Sequence, residues 1–247
     1  MILGGNKIKK LNTKIKKFVL GSSKYYFYNY YNLNKNKKIH LPKNLISTIY
    51  ILDSKKNSIL EFNKKKILIK KDTFFYLKKY DNLKIIRGSI KILLVGKKLR
   101  NLGKYFIKEI KKNIYKVKKP WGYELWINSL NNEFAFKKIF IKKGFQTSLQ
   151  YHNFKRETNL IVNGSATIFY KRNKKVSNDN LKKSDLGSIN LKKNSVVNVY
   201  PKVVHRIKAR QDLTLYEVSS PHLKDVIRIH DDTNRSSGHL RNEHPRN

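Results

Sequence analysis

Short apolar runs, separated by polar turns, fill the chain between residues 45 and 96. Six runs are rich in β-branched, aromatic or other apolar residues: 46–52, 58–62, 66–69, 73–77, 83–86 and 90–95. Turn-forming pairs such as Asp53-Ser54 and Gly88-Ser89 separate them. Many short strands at near-regular spacing favour a β-sandwich or barrel. We therefore predict an all-β N-terminal half.

A strand-like pattern also runs through the second half of the chain. Further strands are predicted around 134–141 and over 160–162, 166–170, 195–199 and 213–218. Asn163-Gly164 lies between two of these runs and is a pair that two-residue β-hairpins prefer, so it predicts a hairpin. Such strands are typical of a small barrel, which can hold a metal ion and a small ligand at its open end.

One segment between the two halves has a helical period. In residues 99–112, Leu102, Phe106 and Ile110 recur every four residues, which predicts a short amphipathic helix. We therefore divide the chain into a β-rich domain (1–98), a linker helix (99–116), a second β domain (117–235) and a polar tail (236–247). His239 and His244 of the tail are expected to be solvated.

The aromatic run KYYFYNYY, at 24–31, has two interpretations. It could stack nucleic-acid bases, or it could form an aromatic-rich strand that packs on a sheet. We favour the strand, because aromatic residues prefer strands.

The chain is strongly basic, with 56 Lys and Arg against 16 Asp and Glu and a formal net charge of +40. Such an excess is common in proteins that bind nucleic acid or anionic ligands. Here, however, the lysines are spread evenly among Asn, Ile and Tyr, a mixture typical of AT-rich genomes, and no recognition module is visible. We expect no specific nucleic-acid partner, weak adhesion to RNA and attraction of phosphorylated substrates.

Other classes of protein are excluded by composition. The chain has no cysteine, so it has neither disulfides nor thiolate metal ligands. No uncharged apolar run approaches the ~20 residues of a membrane helix, and the basic N-terminus has no signal-peptide pattern. We therefore expect a cytoplasmic protein that does not bind membranes.

Residues 144–164, GFQTSLQYHNFKRETNLIVNG, carry the candidate chemistry. Gln150 and His152 are two positions apart and would point to the same side of a strand. The turn that follows would bring Glu157 back beside them, and His205 offers a further donor. An amide oxygen, an imidazole and a carboxylate on one face make most of a divalent-metal site. A histidine with a purely structural role remains the alternative, because short motifs have low specificity.

Six segments, taken in order, resemble the cupin domain of type II mannose-6-phosphate isomerases. They are KPWGYE (119–124), FKKIFIKKG (136–144), TSLQYHNFKRE (147–157), NGSATIFY (163–170), YPKVVHRI (200–207), and LYEV with DVIRIHD (215–218 and 225–231). The resemblance implies a cupin fold, that is, a double-stranded β-helix or jelly-roll barrel. It also implies that Gln150, His152, Glu157 and His205 bind one divalent ion, which could be zinc, manganese, iron, cobalt or nickel.

The N-terminal half contains one histidine, His40, and therefore cannot repeat this metal site. We interpret it as a degenerate cupin-like half, which makes the chain a bicupin with one active barrel. The alternative is an unrelated β-module that pairs its edge strands with the cupin or with a second subunit.

The resemblance implies a metal-dependent aldose–ketose isomerase that interconverts mannose 6-phosphate and fructose 6-phosphate, or a close relative in nucleotide-sugar or polysaccharide biosynthesis. Lys137 is a candidate catalytic base. Arg206 and Arg228 are candidates for catalysis and for binding the phosphate, because guanidinium groups bind phosphate bidentately. Glu124 is a candidate for binding a sugar hydroxyl.

Two rival functions stay open. The chain has Asn159 where the family usually has a tryptophan, and Leu223-Lys224-Asp225 where the family tends to an acidic segment. These departures favour a non-catalytic cupin that binds a metal or a sugar. A basic RNA-associated protein rests on charge alone. A homodimer is also expected, because barrels with spare edge strands often dimerise.

Overall fold

A computed structural model describes residues 2–3, 6–40, 44–62, 64–77, 82–99, 115–128, 133–172 and 185–239. All regular elements in these ranges are β-strands, so the prediction of an all-β chain is confirmed. Of the helix predicted over 99–112, only Leu99 lies within the described residues. The last two residues of the predicted linker, 115 and 116, begin a strand instead. The described ranges contain no helix with the length and apolar character needed to cross a membrane.

The chain divides into two compact units. The first is Asn12–Asn113, and the second combines Met1–Leu11 with Ile114–Asn247. The sequence analysis assigned the first eleven residues to the N-terminal domain, but here they group with the C-terminal unit. They include β1 (Ile2–Leu3), β2 (Asn6–Lys7) and β3 (Lys9–Lys10). The cause is strand pairing, since β3 adds to the edge of a C-terminal sheet through residues 195 and 196.

The N-terminal unit consists of two sheets. Its strands are β4 (Lys17–Ser22), β5 (Phe27–Asn34), β6 (Lys38–His40), β7 (Leu45–Ser54), β8 (Ile59–Phe62), β9 (Lys65–Leu68), β10 (Phe74–Leu77), β11 (Asn82–Arg87) and β12 (Ser89–Lys98). The sheet orders are β10-β7-β12-β5-β4 and β6-β11-β8-β9. Apolar residues of both sheets, such as Ile49 and Ile92 from one and Leu60 and Ile85 from the other, meet in a shared core. The six strands predicted between residues 45 and 96 are confirmed.

The aromatic run lies on β5 and the turn before it. Tyr26, Tyr28 and Tyr30 are at most 2% exposed. Side chains buried to this extent cannot stack on nucleic-acid bases, so the interpretation as an aromatic strand is confirmed.

The described part of the C-terminal unit has two large sheets in addition to the short β1-β2 pair. Its later strands are β13 (Tyr115–Lys119), β14 (Gly122–Asn128), β15 (Ala135–Ile141), β16 (Leu149–Tyr151), β17 (Glu157–Asn163), β18 (Ser165–Arg172), β19 (Gly187–Lys192), β20 (Ser195–Val199), β21 (Val203–Ala209), β22 (Leu213–Ser219), β23 (Ile227–His230) and β24 (Gly238–His239). The sheet orders are β13-β14-β15-β22-β17-β20-β3 and β19-β18-β21-β16-β23-β24. The predicted polar tail, 236–247, contains the strand β24, and residues 240–247, with His244, lie outside the described residues.

The inward positions of four strands, three from one sheet and one from the other, change from apolar to polar toward one end of this unit. They read Ile141-Ile139-Lys137 on β15, Ile161-Asn159-Glu157 on β17, Ala209-Ile207-His205 on β21 and Leu213-Leu215-Glu217 on β22. The apolar members of both sheets form one buried core. Strand register places Glu217 opposite Lys137 on one side and opposite Asn159 on the other. The ionisable groups therefore lie at one end of the barrel, and apolar side chains fill the adjacent interior.

The prediction of a hairpin at Asn163-Gly164 is wrong. β17 ends at Asn163 and β18 begins at Ser165, but the two strands belong to different sheets. Gly164 has a φ of 79° and carries the chain from one sheet to the other. The residue pair therefore predicts the local backbone conformation, but it does not determine which strands pair.

Gly164→Ala is expected to lower the free energy of unfolding by about 3 kcal/mol, because left-handed strain and a steric clash add together. A Cβ at this position would lie 2.2 Å from the backbone oxygen of Asp212. Gly144→Ala is the matched control, since Gly144 has a φ of 83° with no atom within 4 Å of a Cβ. Urea denaturation should show a loss of only about 1 kcal/mol for this control, from strain alone. Equal losses would mean that the contact with Asp212 relaxes without cost.

Candidate metal centre

Three of the four predicted metal ligands converge at the polar end of the C-terminal barrel. His152, Glu157 and His205 are buried, and each offers one ligand atom within 4.8 Å of the others. The Nε2 atom of His152 lies 3.2 Å from Oε1 of Glu157, and that of His205 lies 3.7 Å from Oε2. Glu157 begins β17 of one sheet, whereas His205 lies on β21 of the other. The triad therefore joins the two sheets.

Backbone carbonyls orient both imidazoles. Nδ1 of His152 lies 2.5 Å from the carbonyl oxygen of Asp225, and Nδ1 of His205 lies 3.0 Å from that of Val203. A carbonyl only accepts, so each Nδ1 carries a proton, and each Nε2 faces Glu157. Nε2 of His152 is buried and has no hydrogen-bond partner among the described residues. A buried polar nitrogen without a partner is unfavourable, and a bound cation would give a deprotonated Nε2 a partner.

The pKa shifts of Glu157 and His205 also suit metal binding. Burial lowers the pKa of His205 below its ordinary value, although Glu157 opposes the shift. For Glu157 itself, burial would raise the pKa, but the ammonium of Lys155 and the two histidines outweigh burial and hold the pKa well below its ordinary value. A carboxylate and a neutral imidazole are the forms that bind a metal ion. The residues present therefore fit a divalent ion.

Gln150, the fourth predicted ligand, is half-buried and lies opposite His205 across the β16–β21 pair. It lines the same cavity as Glu157 and His205. Its Oε1 accepts a hydrogen bond from the hydroxyl of Ser148 at 2.9 Å. Its role as a metal ligand stays a prediction.

A chain of buried ion pairs continues from the triad. The Nζ atom of Lys155 lies 2.5 Å from Oε1 of Glu157 and 3.2 Å from Oε1 of Glu217. Glu217 in turn lies 3.1 Å from Nζ of Lys137, which lies 3.8 Å from Oε2 of Glu124. Carboxylates and ammonium groups thus alternate from Glu124 to Glu157.

Lys137 and Glu124, both predicted from the sequence, meet beside an indole ring. Nζ of Lys137 lies 4.8 Å from the centre of the Trp126 ring, a cation–π distance. Nε1 of Trp126 donates a hydrogen bond of 3.2 Å to Glu124. The two residues therefore line the wall of the cavity in fixed positions.

The sequence analysis missed Lys155 and Glu217. Glu217 could have been found from the sequence. It follows Leu213 and Leu215 at alternate positions of one strand, so it is a charged residue on the face that those two apolar residues share. Lys155 lies in a polar turn and had no such signal.

The two arginines predicted from the sequence do not line the metal cavity. Arg206 follows His205 on β21 and so points to the opposite face, where its guanidinium lies 3.3 and 3.2 Å from the oxygens of Asp232 and lines a separate cavity. Arg228 is buried and donates to the carbonyl of Ser236 at 2.9 Å, and it does not line the metal cavity. Arg235, which the sequence analysis missed, lines that cavity instead and pairs with Asp231 at 2.6 Å.

The cavity itself has a volume of about 60 Å³. It is lined by two members of the triad, Glu157 and His205, and by Gln150, both lysines, Glu124, Glu217 and Arg235, together with apolar residues from the barrel interior. This volume holds an ion with a few water molecules. It is well below the ~300 Å³ or more of sites that enclose small organic molecules.

Asp225 fixes the turn that carries two of these groups. Its carboxylate accepts hydrogen bonds from the backbone N–H groups of Asn153, Phe154 and Lys155, at 3.0, 2.5 and 2.9 Å. Its carbonyl accepts from Nδ1 of His152. One buried residue thus holds the segment between the first ligand and Glu157.

Asp225→Ala is expected to lower the free energy of unfolding by about 3 kcal/mol, because three charge-assisted hydrogen bonds are lost and their donors stay partly buried. Asp212→Ala is the matched control, since Asp212 is exposed and accepts one backbone N–H, that of Lys143. Thermal and urea denaturation of both variants measures the difference. Similar losses would mean that the turn holds its shape without Asp225.

Comparisons with known proteins agree with this fold. Residues 107–231 match the family model described as mannose-6-phosphate isomerase C-terminal. A search of curated proteins finds no match.

Several solved structures are similar to this chain. One is an oxalate decarboxylase from Lactobacillus farciminis in a formate complex, 12% identical, with a TM-score of 0.57, covering 82% of this chain and 79% of that chain. Another is the Bacillus subtilis oxalate decarboxylase with Mn(II) centres, 10% identical, with a TM-score of 0.58 and coverages of 86% and 74%. A third is a cupin 2 conserved barrel domain protein from Leptotrichia buccalis, 13% identical, with a TM-score of 0.50 and coverages of 83% and 87%. At these identities the similarity shows the fold alone.

Proposed function

The chain belongs to the family of mannose-6-phosphate isomerase C-terminal domains, and on that basis we propose that it is a metal-dependent isomerase interconverting mannose 6-phosphate and fructose 6-phosphate. Its fold is that of a bicupin, so the predicted family resemblance and the predicted fold are both confirmed. The observation that supports the activity is one cavity that is lined by Glu157 and His205 of the triad and by the Lys137–Glu217 ion pair. The site therefore combines a candidate metal centre with groups that can move a proton.

In this proposal His152, Glu157 and His205 hold one divalent ion, with Gln150 as a fourth ligand. The ion would polarise the two sugar oxygens on which negative charge develops during isomerisation. These ligand types suit zinc, manganese, iron, cobalt or nickel.

The chain's own residues supply the remaining steps. Isomerisation moves a proton between C1 and C2, so a group at the cavity wall must accept that proton and return it. We assign this transfer to Lys137 and Glu217, whose Nζ and Oε1 atoms are 3.1 Å apart. Glu124 would accept a hydrogen bond from a sugar hydroxyl. Arg235 replaces Arg206 and Arg228 as the proposed phosphate ligand, because Arg235 lines the cavity and a guanidinium group binds phosphate bidentately.

A second candidate function, a metal-binding cupin that does not turn over a sugar, is favoured by the size of the cavity. A volume of about 60 Å³ admits an ion and water but no hexose phosphate. The isomerase therefore requires the cavity to widen when the sugar binds, whereas the binding cupin requires no such change.

A coupled assay of fructose 6-phosphate formation from mannose 6-phosphate separates the two functions. The protein is stripped of metal and reloaded with each candidate ion, and glucose 6-phosphate serves as the control substrate. Metal-dependent turnover of mannose 6-phosphate supports the isomerase. A folded protein that binds one metal ion without turnover supports the binding cupin, and a protein that binds no metal contradicts both.

The other predictions from the sequence stay predictions. They are a cytoplasmic location, a homodimer, a phosphorylated sugar as the partner, and the absence of specific nucleic-acid and membrane partners.

A further inference from the structure

The proposed reaction leaves Lys155 without a role, although its ammonium lies inside the candidate metal centre. Its side chain is 3% exposed, and Nζ lies 2.5 Å from Oε1 of Glu157. The same oxygen lies 3.2 Å from Nε2 of His152. The ammonium and a metal ion bound between His152 and Glu157 would therefore use the same carboxylate oxygen.

We propose that Lys155 competes with the metal ion for Glu157, and that metal binding transfers the ammonium from Glu157 to Glu217. The inference rests on the metal site proposed above. A cation that binds Oε1 would come into close contact with Nζ, and like charges in a buried site repel strongly. One of the two must move, and the histidines that bind the metal are fixed by backbone carbonyls.

The structure provides a place for the displaced ammonium. Oε1 of Glu217 is already 3.2 Å from Nζ of Lys155. A lysine has a flexible four-carbon stem, so rotation of its outer torsions can break the contact with Glu157 and keep the one with Glu217. The backbone of Lys155 need not move, since its N–H is held by Asp225 at 2.9 Å. The ammonium therefore keeps a counter-charge in both states.

The exchange also explains how Glu157 stays buried without a metal ion. A buried carboxylate that has no partner is strongly unfavourable, and Lys155 supplies the opposite charge in the metal-free protein. The consequence is a metal affinity lower than the ligand set alone would give. Removing the ammonium should therefore have two opposite effects: tighter metal binding and a less stable metal-free protein.

Lys155→Met tests this inference by calorimetric titration of the metal-free protein with Zn²⁺ and Mn²⁺. We expect the dissociation constant to fall by about 10- to 30-fold, as removal of a nearby repelling charge implies, and the melting temperature of the metal-free variant to decrease. Lys137→Met is the matched control. It removes the same charge from the same cavity, but Lys137 contacts Glu217 and Glu124 instead of Glu157, so its effect on metal affinity should be clearly smaller.

Three results would overturn the inference. If wild-type protein binds the metal and Lys155→Met binds it equally well or more weakly, Lys155 positions Glu157 and does not compete, while the metal site stands. If the control gains as much affinity as Lys155→Met, the effect is one of overall charge. If the wild-type protein does not bind either ion, the metal site fails and the inference fails with it.

A measurement on the wild-type protein avoids any dependence on the folding of the variant. Crystal structures with and without Zn²⁺ should show Nζ of Lys155 paired with both glutamates in the absence of metal and with Glu217 alone in its presence. An ammonium that stays on Glu157 beside a bound ion would refute the exchange.

Discussion

His152→Ala is expected to lose tight metal binding and, with it, all metal-dependent turnover. His152 is fully buried, and its Nε2 faces Glu157 without a hydrogen-bond partner among the described residues. Loss of an outer-shell partner of a metal ligand costs 10- to 100-fold in affinity, so loss of a ligand should cost at least about 100-fold. No neighbouring histidine can take its place, because His205 already contributes its own Nε2.

Calorimetric titration with Zn²⁺, together with the isomerase assay, measures both losses. Circular dichroism and thermal unfolding show whether the variant stays folded. His230→Ala is the control, because the His230 side chain is 63% exposed and lies outside the triad. Wild-type metal affinity in His152→Ala would refute the assignment of the metal centre. Loss of the metal with unchanged turnover would refute the role of the metal in the reaction.

The triad could be predicted because its first part is a local pattern. Gln150 and His152 are two residues apart in a predicted strand, and Glu157 follows after one turn, so the period of a strand places them on one side. His205 comes from the opposite sheet and could be added only through the family resemblance. Both steps agree with the structure, in which the ligand atoms of His152, Glu157 and His205 lie within 4.8 Å of one another.

The errors arose where an interaction depends on which strands pair. Asn163-Gly164 has the residues of a hairpin turn, yet it joins two sheets, because the pairing of β17 with β20 and β22 is set by contacts distant in sequence. Glu217 faces Lys137 for the same reason. Arg206 is a different case. Its place next to a metal ligand means that it points to the opposite face of the strand, and the sequence contained that information.

The buried charges of the cavity also favour the binding of a cation. In a chain of formal charge +40, three carboxylates, Glu124, Glu157 and Glu217, line a single cavity. Two ammonium groups, those of Lys137 and Lys155, lie among them. Among these five groups the carboxylates therefore exceed the ammonium groups by one, since Arg235 is balanced by Asp231. An excess of negative charge in a buried site favours a cation, and this argument is independent of the family resemblance.

Lys137→Met is expected to lower kcat by about 10²- to 10⁴-fold, the usual contribution of a general acid or base, while changing metal affinity far less than His152→Ala does. Lys137 lines the cavity without belonging to the triad, so its removal should affect the proton transfer more than the metal. Lys138→Met is the matched control, because Lys138 is the next residue on β15 and its ammonium lies 5.9 Å from the ring centre of Tyr216 on the other face. Steady-state kinetics on metal-loaded protein compares the two variants. Full activity in Lys137→Met would mean that Glu217 moves the proton without the lysine. Equal losses of kcat in both variants would mean that the substitutions disturb strand β15 and do not remove a catalytic group.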